Sequence, residues 1–119
     1  MIYTSNYFNK ATEQYTRVRI SASAPTGATY EETWLTVAPD WRTLLKPYKE
    51  GQLTDDEYTG IYLAKLEAQK EIVINELQAL LTKHKDIVLL CWCGKNKFCH
   101  RRLLADWLTK QGFGPIQEI

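Results

Sequence analysis

Charge of either sign in excess is missing from this chain. Fifteen Lys and Arg stand against 14 Asp and Glu, so the formal net charge is +1. A protein so balanced has no global field to draw nucleic acid or a membrane surface, and any attraction for anions must come from local clustering. Long apolar runs are missing too. None approaches the roughly 18 residues of a membrane-crossing helix, and the opening MIYTSNYFNK has no basic region ahead of an apolar core. A cytoplasmic protein is expected. Cysteine is scarce: the three residues, an odd number crowded into nine positions, are unlike the spread framework of a small disulfide-bonded secreted fold. Reduced thiols are therefore expected. Internal repeats and low-complexity tracts are absent. So are the phosphate-cradling GxxxxGK[ST] and dinucleotide GxGxxG patterns.

What the chain does contain is concentrated between Asp86 and Trp107, in DIVLLCWCGKNKFCHRRLLADW. The apolar run Ile87 to Cys91 stops at a polar loop with Gly94. Leu103, Leu104, Trp107 and Leu108 then recur at helical spacing, so the stretch reads as buried strand, short loop and amphipathic helix. All three cysteines, one of the two histidines and four basic side chains lie within it. Open α/β sheets bind ligands at the carboxyl ends of their strands, which is where this loop would sit.

Around that unit the remaining elements can be read in order. Ile2 to Thr4 is a short strand candidate ended by the turn formers Ser5 and Asn6. Tyr15 to Ile20 alternates between two faces and predicts a second strand, with Arg17 and Arg19 on one of them. Ser21 to Tyr30 has no periodicity and predicts a mobile surface loop able to cover a site. Glu31 to Val37 is consistent with an extended segment or a turn. Asp40 can cap a short helix through Tyr48, which Gly51 would end.

Thr54 and Glu57 then form a capping-box pattern, with Asp55 and Asp56 adding charge that suits a helix start. Tyr58, Tyr62, Leu66, Gln69, Val73, Leu77 and Leu80 follow at steps of three and four, predicting about 26 to 29 helical residues. A single long surface helix is the simplest form, although so small a sheet needs less length. Such a run is otherwise broken near Lys70, or its overhang packs on a second subunit as a homodimer. Gly112 and Gly114 stop the final helix, and Pro115 to Ile119 can add a last strand. The expected fold is a three-layer α/β domain spanning residues 1–119, with a small, mostly parallel sheet flanked by helices.

The loop after the central strand suggests three chemistries. Lys95, Lys97, Arg101 and Arg102 surround a helix start, where cations are unfavourable by roughly 0.3 to 1 kcal/mol each. No acidic residue in that first turn offsets them. A bound anion would reverse the repulsion, so Lys95, Lys97 and Arg101 are candidate ligands for a phosphate, nucleotide or carboxylate. Cys99, at the helix start among cations, is a candidate thiolate nucleophile. Neighbouring helical positions do not face each other, so His100 is better placed for Cys91 or Cys93 than for Cys99. Cys91 and Cys93 share a strand face and supply a second thiol. Alternatively, Cys91, Cys93, Cys99 and His100 offer enough donors for a tetrahedral zinc site, though not in a usual paired spacing. A phosphatase-like loop is excluded, because Lys97 and Cys99 stand six residues after Cys91 and Cys93 where an arginine is needed.

The run CWCGKNKFCHRRLLADWL following DIVLL resembles the DUF488 family, whose members carry a strand, a cysteine-bearing loop and a CHR helix start. MIYTSNYF and LTVAPDWRTLLKPYKEGQLTDDEYTGIYL occur in the order seen in its short phage-encoded or bacterial members. The similarity is weakest from Lys10 to Thr33. It implies a protein of unassigned activity and points to Cys91, Cys99, His100, Arg101 and, more loosely, Ser5. The family's arginine after the second strand has no clear counterpart in RISASAP, where Arg17 and Arg19 come earlier.

The resulting expectation is a site for a small anionic ligand, with Cys99 reactive and His100 moving a proton or orienting the ligand. No cofactor is required, zinc being the alternative. A noncatalytic interaction protein is the reading from another class. There the long helix and Trp34, Trp41, Tyr48 and Tyr58 would form a groove for a partner or for stacked bases, nucleic acid being left open.

Overall fold

The computed structural model describes residues 1–94 and 97–119. Its centre is the apolar run read from the sequence: β4 (Ile87–Cys91), every residue of which is buried. β1 (Ile2–Asn6) and β2 (Thr16–Arg19) flank it, β3 (Glu32–Thr33) lies outside β2, and β5 (Ile116–Glu118) lies outside β1. The order is β3-β2-β4-β1-β5 and every pairing is parallel. A central parallel strand is covered on both faces, which explains why β4 is continuously apolar while β2 alternates. Register places Ile2 and Thr16 beside Ile87, and Ser5 and Arg19 beside Leu90.

That register separates the two faces. Ile87, Leu89 and Cys91 join a cluster with Val18, Ile20 and the helices, whereas Val88 and Leu90 are buried outside it. On the second face Tyr3, the partner of Val88, stacks on Tyr15 at 4.4 Å between ring centroids. The two outer layers are unequal, with the apolar helix residues gathered on the Ile87 side.

Asp40 accepts a bond from Thr43 N and starts the turn Trp41–Leu45, which runs into α1 (Lys46–Lys49). Gly51, at φ 77°, takes the left-handed conformation that turns the chain away from it. The segment Glu31 to Val37 proves to be both alternatives in sequence: short strand β3, then a 3-10 turn at Leu35–Val37. The long periodic run forms α2 (Asp55–Ala68) and α3 (Lys70–Lys83), which meet at Gln69 with φ −114° and ψ 19°. Each half spans about 21 Å at ~1.5 Å per residue. Tyr58, Tyr62 and Leu66 of one half and Val73 and Leu77 of the other enter the same cluster. The length that suggested a second subunit is accommodated within one chain.

α4 (His100–Leu108) buries Leu104, Trp107 and Leu108, and Trp107 Nε1 donates to Glu67 Oε1 at 2.8 Å, tying α4 to α2. Tyr62 is fully buried and its hydroxyl donates to Val37 O at 2.6 Å, so the aromatic stripe of α2 leaves no orphan polar group there. No helix among the described residues is long and apolar enough to cross a membrane.

Candidate functional site

Parallel pairing brings the carboxyl ends of β1, β2 and β4 to one edge of the sheet. A pocket of about 560 Å³ opens there. Ser21, Ala22 and Ser23 line it from the segment after β2, Cys91, Trp92 and Cys93 from the end of β4, and His100 from the start of α4. Pro39, Trp41, Leu45 and Lys49 close it from the segment before α2. The beginning of the expected mobile loop is pinned: Ser21 Oγ lies 2.5 Å from Tyr7 Oη, and Arg19 Nε donates to Ser21 O at 2.9 Å. Trp92 Nε1 donates to Ser23 O at 2.8 Å, fixing a half-exposed indole at the pocket mouth.

Beside this pocket the three cysteines converge. Their Sγ atoms all lie within 4.8 Å of one another, and those of Cys91 and Cys99 are 2.7 Å apart. Cys91 is the last residue of β4, while Cys99 is the residue before α4, with extended φ −158° and ψ 148°. That extended backbone overturns the expectation drawn from helical neighbours. Cys99 Sγ and His100 Nδ1 approach to 3.7 Å, because the residue before a helix is free of the helical rotation that separates adjacent side chains. The other ring nitrogen, Nε2, lies 2.9 Å from Ile20 O. A carbonyl can only accept, so Nε2 carries the hydrogen and Nδ1 offers its lone pair to Cys99 Sγ.

Ionisation within the cluster is unequal. Hydrogen bonds from the Cys91 and Cys99 thiols hold the half-buried Cys93 well below the ordinary thiol range. Contact with Cys93, together with burial, pushes Cys91 up, and contacts with Cys91 and Cys93, together with burial, push Cys99 up. Burial lowers His100 to about 4, which leaves the ring neutral at pH 7.

Arg101 is completely buried, and its five N–H groups all have protein partners. Nε donates to Glu118 Oε1 at 3.1 Å, and Nη2 donates to Glu118 Oε2 at 2.8 Å and Gly94 O at 3.2 Å. Nη1 donates to Cys93 O at 2.6 Å and Cys91 Sγ at 2.9 Å. Burial opposes its charge, but Glu118 and the sulfurs hold its pKa above the usual range. Glu118 is likewise desolvated, yet Arg101 and Thr4 keep its carboxyl below the usual range. Much of the anion that the basic helix start called for is thus supplied by the chain itself. Arg102 Nη2 also lies 3.8 Å from the same carboxylate.

The other expected ligands are distributed differently. Ser5 is buried, donating to Ile119 O at 3.2 Å and accepting from Asn9 Nδ2 at 3.1 Å, and does not line the pocket. Lys97 is exposed on the loop, and Lys95 lies outside the described residues. Arg17 pairs with Glu31 rather than facing the pocket. Of the aromatic groove, Trp34 and Tyr58 are core residues and Trp41 is half-exposed at the pocket.

Sequence reasoning missed Glu118, Lys49 and Trp92. For Glu118 no local pattern connects a carboxylate in the last strand to a cation 17 residues earlier. Lys49 and Trp92 could have been found only through the topology that brings the segment before α2 to the carboxyl end of β4.

The fold and site define a parallel α/β protein with a thiol cluster at the carboxyl edge of its sheet. The family model DUF488-N3a, described as the active DUF488-N3 subclade, matches residues 2–112, and the chain belongs to the DUF488 family. β5 and Glu118 lie beyond the matched residues. No curated protein and no solved structure matches the chain.

Proposed function

We propose that this protein is a thiol-dependent enzyme acting on a small nucleotide-like ligand, with Cys93 as nucleophile. The observation that carries the reading is Cys93 itself: half-buried, lining a pocket, and accompanied by two further sulfurs within 4.8 Å. Cys99, the nucleophile expected from the sequence, is only 4% exposed and is not a pocket residue, so it serves the cluster from behind.

Trp41 and Trp92 supply aromatic faces to a planar ring, and Lys49 supplies a cation to an anionic substituent. Cys93 Sγ gives an electron pair to an electrophilic centre of the ligand, and the displaced group leaves with its bonding pair. Arg101 holds Cys91 Sγ and the Cys93 carbonyl, and so positions the reacting sulfur without touching the ligand.

Two measurements on reduced, metal-free protein test this. Iodoacetamide at pH 7 followed by peptide mass mapping is expected to modify Cys93 ahead of Cys91 and Cys99. Mononucleotides and inorganic phosphate are then screened by thermal unfolding, where a ligand at 100 times its Kd stabilises by about 2.7 kcal/mol. A shift reduced by Lys49→Ala and Trp92→Ala is expected. Cys93 reacting no faster than an ordinary free thiol, together with no shift from any ligand, overturns the proposal.

A further inference from the structure

The sulfur cluster has a second property that the proposed reaction does not use. Zinc binds thiolate sulfur at about 2.3 Å and imidazole nitrogen at about 2.0–2.1 Å, so a tetrahedral site has sulfur–sulfur edges of about 3.8 Å and sulfur–nitrogen edges of about 3.6 Å. The three Sγ atoms already lie within 4.8 Å of one another. Cys99 Sγ to His100 Nδ1, at 3.7 Å, already has the length of one such edge. The Cys91–Cys99 separation of 2.7 Å must widen by about 1 Å to reach the zinc edge length.

The surroundings match as well. A metal-bound histidine almost always donates its other ring N–H to a carbonyl or carboxylate, which fixes the tautomer and ring orientation. His100 makes that bond to Ile20 O and leaves Nδ1 on the sulfur side. Three thiolates around a divalent ion carry one excess negative charge, and Arg101, buried and donating to Cys91 Sγ, faces it. The adjacency of Cys99 and His100 is no obstacle, since Cys99 is extended.

We propose that Cys91, Cys93, Cys99 and Nδ1 of His100 bind one zinc ion. The proposal goes beyond the reading of Cys93 as a nucleophile and gives it a control: zinc coordination occupies the Cys93 sulfur, so the metal-loaded chain is a protected form and the metal-free chain the reactive one. Binding displaces the remaining thiol protons to solvent, with no change in the oxidation state of metal or sulfur.

Cobalt(II) added to the full chain, reduced and freed of metal by a chelator, tests the site directly. Expected are one equivalent of saturable binding, a sulfur-to-cobalt charge-transfer band with tetrahedral d–d absorption, and bleaching of both by one equivalent of zinc(II). Cys93→Ser, on a half-buried loop residue, should weaken cobalt binding by about tenfold or more. Cys99→Ser is the second variant, with circular dichroism reporting whether each remains folded. Zinc should also suppress alkylation of Cys93, and a chelator should restore it. Absence of saturable cobalt absorption, or affinity unchanged in a folded Cys93→Ser chain, overturns the zinc site. Failure of the two proposals is distinguishable. Fast alkylation without cobalt binding removes only the metal site. Cobalt binding with slow alkylation of the metal-free chain and no nucleotide shift removes only the enzyme reading.

Discussion

Helices α2 and α4 begin in opposite ways. At α2 the Thr54 hydroxyl accepts from Glu57 N at 3.1 Å, the Glu57 carboxylate accepts from Thr54 N at 2.9 Å, and Asp55 and Asp56 add negative charge. Everything that start requires lies within four residues. At α4 the capping residue Cys99 makes no side-chain capping bond, and its first turn holds His100, Arg101 and Arg102 without an acid. Its compensation arrives from β5, where Glu118 takes Arg101 with two bonds. A helix start built for stability is satisfied locally. The other gives up that local solution, and its arginine is instead turned onto a sulfur and two loop carbonyls.

The comparison breaks most visibly at Arg101. Arg101→Ala leaves Glu118 without its buried cation and the carbonyls of Cys93 and Gly94 without that donor. Removing one partner of such a pair costs about 3–5 kcal/mol. Glu118→Gln keeps an acceptor for Arg101 and should cost less, about 1–3 kcal/mol. Urea unfolding of both variants checks the order. Equal, small losses would mean that the arginine is held by its carbonyl and sulfur contacts alone, and that β5 is incidental to the α4 start.

His100 sharpens the same contrast through pH. Its folded-state value is lowered from 6.5 to about 4 by burial. Between those values the unfolded chain binds a proton that the folded chain refuses, so stability rises with pH across this window and is lost as pH falls through it. At ~1.36 kcal/mol per pKa unit, the loss on going from pH 7 to below pH 4 is about 3 kcal/mol. Glu118, also lowered, adds its own loss below the ordinary carboxylate range. Denaturant unfolding of metal-free protein at several pH values should show this slope, and His100→Gln should flatten it between pH 6.5 and 4. A slope that survives the substitution assigns the proton uptake to another group.

The same two helix starts show how far the sequence can be read. The capping box, the apolar β4 run and the α4 stripe were legible because each is set by residues a few positions apart. The convergence of the cysteines was legible in outline, since all lie within one strand-loop-helix unit. The contact between Cys99 and His100 was not, because spacing alone assigns helical geometry to a residue that the structure leaves extended. The burial of Arg101 was hidden for a different reason. A cation at a helix start looks like a ligand for an external anion until the sheet order brings β5 beside β1 and places Glu118 within reach. The break at Gln69 stayed open because the apolar periodicity runs through it, and only packing against the sheet decides whether the run bends.

The smallest expected effect lies at the start that contains nothing unusual. Thr54→Ala removes the hydroxyl that accepts from Glu57 N and should cost about 1 kcal/mol of stability, the usual worth of such a cap. Because α2 lies outside the sulfur cluster, the same variant should leave the alkylation rate of Cys93 and its pH dependence unchanged. Glu118→Gln should alter that alkylation profile, since it disturbs the residue that holds Cys91 Sγ and the Cys93 carbonyl. Pairing unfolding with alkylation in both variants therefore separates a helix start that serves stability from one that also sets the geometry of the thiols. If Thr54→Ala moved the alkylation profile as much as Glu118→Gln does, the two starts would be coupled through the α2–α4 packing at Glu67 and Trp107, and the distinction between them would fail.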